Sequence, residues 1–110
     1  MELIERKNND VLILETHGKL DSNTSSQLEQ KLISEIDAGT SKIIVDCSKL
    51  DYISSAGLRV LLVGAKKLKA INGKIVLCSL QDYIKEVFEI AGFTAIFPIH
   101  PDLTSALDNI

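Results

Sequence analysis

The sequence predicts an α/β domain: a mixed, largely parallel sheet of four or five strands with helices packed against it, in the order β-β-α-β-α-β-α-β-α. Three observations carry this. Short β-branched runs alternate along the chain with longer segments whose apolar residues recur every three or four positions. The first two apolar runs are separated only by the turn-rich Lys7-Asn8-Asn9-Asp10, which suits an antiparallel hairpin. Each later strand-like run is separated from the next by a helical segment, the crossover that parallel pairing requires.

Taken in order, "ELIER" and "VLILETHG" form the hairpin. After Gly18 the period changes, and Leu28, Leu32, Ile33 and Ile36 make one stripe of a helix that starts near Asn23 or Thr24 and ends at Gly39. "KIIVDCS" is an unbroken apolar run at Ile43, Ile44 and Val45, as expected of a strand covered on both faces. The next helix spans about 56 to 70, with Leu58, Leu61, Leu62, Ala65 and Leu68 inward and Arg59, Lys66 and Lys69 outward. Asn72-Gly73 turns the chain into the strand "KIVLCS". Ile84, Val87, Phe88 and Ala91 mark a third helix closed by Gly92, and "TAIFPI" reads as a short last strand, with Pro98 near its end restricting it to an edge or a strand terminus. Asp102 or Thr104 starts a final helix carrying Leu103, Ala106, Leu107 and Ile110. Burial is expected to concentrate at Ile44, Leu58, Leu61, Leu62, Ile75 and Leu77.

With 110 residues the chain suits one domain, residues 1–110. A net charge of −3 argues against a nucleic-acid partner, and Lys66, Lys67, Lys69 and Lys74 are explained by the helix C-terminus they surround. The opening "MELIERKNND" is charged within two residues and develops no apolar core, and no segment is apolar enough to span a bilayer. A cytoplasmic protein without membrane insertion, monomeric because one core accounts for the apolar residues, is the expectation. Cys47 and Cys78 lack metal or redox spacing and read as buried thiols, and no cofactor is expected. Enzyme readings find no support. There is no phosphate loop or GxGxxG fingerprint, His17 and His100 lack companions for nucleophilic catalysis, and Asp46 lacks the acidic pair and lysine of a phosphoacceptor aspartate.

The stretch "DYISSAGLRVLL" is unusual in placing two serines, Ser54 and Ser55, before a helix that needs one hydroxyl to cap it. One reading is capping alone. The other is modification: the free N–H groups and dipole of a helix N-terminus favour anionic oxygen, and Arg59, four residues after Ser55, shares its helix face. A phosphate there adds about −1.5 to −2 charges without disrupting the helix, so its effect would fall on a partner. Asp51 and Tyr52 shape the approach, Ile53 anchors it, and Gly57 leaves the first turn without a side chain that could obstruct docking. Asp21, Ser22 and Asn23 either start the first helix or form a second patch at the same end of the sheet.

"GKLDSNTSSQLEQKL", "KIIVDCSKLDYISSAGLRVLL" and "NGKIVLCSLQDYIKEVFEIAGF" together resemble the STAS domain, in particular the single-domain bacterial anti-sigma factor antagonists, over essentially the whole chain. The resemblance implies a small non-catalytic domain that binds an anti-sigma factor which is also a serine kinase, thereby releasing a sigma factor. That kinase phosphorylates a serine two positions before the loop glycine, and a PP2C-type phosphatase restores it. Matched to this chain, the serine is Ser55, the glycine Gly57 and the following apolar anchor Leu58. Asp21, Ser22, Asn23, Ser54, Ala56, Gly57 and Arg59 then make up the partner surface. The pattern departs at Ser54, where well-studied members carry aspartate, and at Ala56, where they carry serine or threonine; Ser54 could therefore compete as acceptor. The alternative is a non-catalytic STAS-domain subunit that regulates or scaffolds another assembly, such as a lipid-transport system.

Overall fold

The computed structural model describes residues 1–110. Its elements are β1 (Glu2–Asn8), β2 (Val11–Leu20), α1 (Ser25–Asp37), β3 (Lys42–Ile53), α2 (Ser55–Ala70), β4 (Lys74–Cys78), α3 (Asp82–Ile90), β5 (Ile99–His100) and α4 (Leu103–Asn109), with a 3-10 turn at Phe93–Ala95. One five-stranded sheet runs in the order β1-β2-β3-β4-β5, with β1 antiparallel to β2 and every other pair parallel. The predicted class and element order hold.

Strand alternation divides the core between the two faces of the sheet. Leu12, Leu14, Ile43, Val45, Ile75 and Leu77 pack with Leu28, Leu32, Leu61, Leu68, Ile84 and Phe88, so α1, α2 and α3 cover one face. Val11, Ile13, Ile44, Val76 and Cys78 face the other way, where α4 brings Ala106, Leu103 and Leu107 against them. Burial on both faces is why the central runs read as continuously apolar rather than alternating. No helix is long and apolar enough to cross a membrane.

Four local expectations are corrected. β1 extends past "ELIER" to Asn8, leaving a two-residue turn at Asn9 and Asp10; Asn9 takes φ 58°, which asparagine tolerates better than most residues. β3 does not end near "KIIVDCS" but continues through Ile53, paired with β2 as far as Leu20. Register shifts between Glu15 and His17 and between Gly18 and Lys19 break the two-residue alternation, so the buried Cys47, Leu50 and Ile53 fall three apart and the pattern resembles a loop. "TAIFPI" is not a strand: Phe93 and Phe97 turn inward against Phe88, with ring centroids 6.0 to 6.4 Å apart, and this cluster is incompatible with an extended backbone. Only Ile99 and His100 pair with β4. Finally, Leu62 is half-buried because the short β5 leaves that side of α2 uncovered, whereas Ile44, Leu58, Leu61, Ile75 and Leu77 are buried as expected.

Candidate functional site

The C-terminal ends of β2 and β3 reach the same end of the sheet because Leu20 pairs with Ile53. The loop after β2 and the start of α2 therefore meet. The Ser54 N–H donates to the Leu20 carbonyl at 2.9 Å, stitching the two segments together. Gly57, in the first turn of α2, is buried against the same residue: a Cβ there would lie 2.8 Å from the Leu20 carbonyl oxygen and 2.8 Å from its Cγ. This corrects the expectation that Gly57 clears an outward docking face. It permits close inward approach of α2 to β2, and so sets the position of the two serines that precede it. Gly57→Ala is expected to destabilise the protein by about 1 kcal/mol or more, because overpacking against a backbone oxygen outweighs the gain in helix propensity. An unchanged urea midpoint would show that the helix end yields freely.

The two serines have different surroundings. Ser54 is the N-cap of α2, in extended conformation, and its Oγ accepts from the Gly57 N–H at 3.3 Å. Ser55 is the first helical residue, is exposed, and its hydroxyl has no hydrogen-bond partner within the chain. Capping therefore accounts for Ser54 and leaves Ser55 unexplained by local structure. Ala56 is half-buried beside it, and Arg59 one turn on is exposed with no carboxylate in ion-pair range.

In the loop after β2, Asp21 and Thr24 hold the chain by reciprocal bonds. The Asp21 Oδ1 accepts from the backbone N–H groups of Asn23 at 2.9 Å and Thr24 at 3.1 Å, while the Asp21 N–H donates to Thr24 Oγ1 at 2.9 Å. The Asn23 N–H bond, ahead of the others, holds the Asp21 carboxyl below the usual carboxylate range. Asp21 is thus occupied in shaping the loop. Ser22 and Asn23 are exposed at its tip with side chains free of internal partners.

Two residues that sequence reasoning missed complete the surface. Tyr83 at the start of α3 donates its hydroxyl to the Asp51 carbonyl at 2.7 Å, and Gln81 Nε2 donates to the Leu50 carbonyl at 2.8 Å. They tie α3 to the end of β3, and Tyr52 and Tyr83 remain about half exposed, at 49% and 50%, near the serines. No local pattern marks them, because their partners lie 32 and 31 residues away.

The other candidate groups are accounted for internally. His17 Nε2 lies 2.9 Å from Glu15 Oε1 and its Nδ1 3.9 Å from Glu2 Oε1, with neither serine in reach. Burial pushes the Cys78 thiol up to about 11 and raises that of Cys47 further, so both stay protonated at neutral pH. Asp46 is spent on the Ser48 N–H at 3.0 Å and on Arg6 at 4.0 Å.

A family model described as "STAS domain" matches residues 3–106. The chain is 44% identical over 99 residues to BtrV of Bordetella bronchiseptica, provisionally named an anti-sigma factor antagonist, a match covering 90% of this chain and 85% of that protein. Among solved structures it superposes on a provisionally named anti-sigma factor antagonist of Thermotoga maritima with a TM-score of 0.94 at 20% identity, covering 98% of this chain and 93% of the other. It also matches the phosphorylated form of the Bacillus cell fate determinant SpoIIAA, with a TM-score of 0.79 at 20% identity and 98% of each chain covered.

Proposed function

The chain belongs to the STAS domain family, and from that membership we propose that it is an anti-sigma factor antagonist of the partner-switching type. In this reading it binds a cognate anti-sigma factor that is also a serine kinase, and so frees a sigma factor in the cytoplasm. Transfer of the ATP γ-phosphoryl group to Ser55 Oγ, with ADP leaving, ends the interaction. A PP2C-type phosphatase hydrolyses the phosphoserine and restores binding. The domain itself catalyses nothing.

The observation that carries this reading is the division of labour between the serines. Ser54 holds the cap, while Ser55 stands exposed and unbonded at the first position of the helix. There a phosphate meets the free N–H groups of the first turn and the positive end of the dipole, with the unpaired Arg59 one turn away. The fold would tolerate it. A partner seated over Ser22, Asn23, Ser54, Ser55, Ala56 and Arg59 would not, because it would have to desolvate a dianion. Asp21 contributes by fixing the loop, and Gly57 by seating the helix beneath.

Incubation with the cognate kinase and ATP, followed by mass spectrometry with site mapping, tests this. One phosphate on Ser55 is expected, and none on Ser55→Ala. Phosphate on Ser54 instead would move the acceptor by one residue and require loss of the cap. Absence of phosphate from both serines would refute the switch and favour a regulatory or scaffold role in another assembly, such as a lipid-transport system.

A further inference from the structure

The short β5 leaves the first part of β4 paired on one side only, with β3. The Lys74 N–H is given to the Ser41 carbonyl on the β3 side, and the Leu77 N–H to the Pro98 carbonyl on the β5 side. Successive residues of a parallel strand address opposite neighbours, so Ile75, two before Leu77, directs its N–H and C=O toward the β5 side. β5 pairs only with Leu77 and Cys78, and no strand pairs with Ile75 on that side. In its place is an open groove of about 630 Å³, with Leu62 and Ala65 of α2 on one wall and the 45%-exposed Ile96 on the rim.

The groove is also charged with one sign. Lys66, Lys69 and Lys74 line it, none is in an ion pair, and no acidic residue lines it, although the chain as a whole carries −3. The opposite edge is different: β1 carries Glu2, Glu5, Arg6 and Lys7, the mixed charge that discourages strand addition. A helix-dipole role explains lysines at the end of α2 but not Lys74, which is outside the helix.

We propose that this half-open edge is a docking slot for an extended acidic segment of a partner protein. The segment adds to β4 beside Ile75 as a short strand where a longer β5 would lie. Its carboxylates meet Lys66, Lys69 and Lys74, and its apolar side chains rest on Leu62, Ala65 and Ile96. At about 1.5 Å per residue, Lys69 is roughly 20 Å along α2 from Ser55. The slot is therefore separate from the serine surface, and its failure would leave the proposed switch untouched.

Titration of the ¹⁵N-labelled full chain with a hexapeptide alternating glutamate and valine tests the slot, with a lysine-valine hexapeptide and oligothymidylate as controls. The acidic peptide is expected to shift the Gly73 and Ile75 amides and slow exchange at Ile75, while Ser55 and Ala56 stay unmoved. Raising the salt weakens the interaction. The triple variant Lys66→Glu, Lys69→Glu, Lys74→Glu, all at exposed positions, is expected to lose at least tenfold in affinity with its far-UV spectrum unchanged. No response at millimolar peptide, shifts centred on Ser55, or an equal response to oligothymidylate would each overturn the proposal; the last would mark a non-specific anion patch.

Discussion

Ser55→Asp is expected to bind the anti-sigma factor at least tenfold more weakly than the wild type, a loss of about 1.4 kcal/mol or more, with an unchanged far-UV spectrum. The carboxylate sits at the first position of α2, where the helix N-terminus stabilises negative charge, so the isolated protein loses nothing. In the proposed complex the cost is that of desolvating a fixed charge at the interface. Ser55→Ala should bind as the wild type does, because its hydroxyl makes no internal hydrogen bond whose loss could disturb the loop. Isothermal titration of both variants against the proposed anti-sigma factor partner reads this directly. Equal affinity of Ser55→Asp and wild type would remove Ser55 from the interface.

Leu61→Ala is expected to destabilise the fold by about 2 to 5 kcal/mol through lost transfer energy and a residual cavity. Leu61 is 1% exposed and lies within the cluster that joins α2 to the sheet and α1. For a domain whose total stability is on the order of 5 to 15 kcal/mol, such a loss is a large fraction. The same substitution at the half-buried Leu62 should cost less, since that side chain borders the open groove. Urea unfolding of the two variants compares them, and a loss below about 1 kcal/mol for Leu61→Ala would contradict its burial.

Where elements are continuous and locally encoded, the sequence was sufficient. The stripes of α1, α2 and α3, the existence of the first hairpin and the doubly covered strands follow from period and turn chemistry, which are nearest-neighbour properties. The double serine was likewise legible as a question. The sequence presented two capping-competent hydroxyls in succession; Arg59 and the family resemblance pointed to Ser55 as the modified one, but neither identified Ser54 as the cap.

That choice was made by tertiary structure. The Ser54 N–H is drawn onto the Leu20 carbonyl, and Gly57 fits against the same residue. This seats the helix so that Ser54 turns back over its first turn and Ser55 points outward. The extension of β3 to Ile53 was hidden for a related reason: register shifts against β2 place its buried residues three apart, a spacing that no single strand announces. The Phe88, Phe93 and Phe97 cluster overrode the strand propensity of "TAIFPI" by packing Phe93 and Phe97, one turn apart, against Phe88. Sequence by itself determined the class, the order of elements and the two serines. Which serine is free, and where the sheet is left open, depended on hydrogen bonds and packing between residues some thirty positions apart, which a local pattern does not encode.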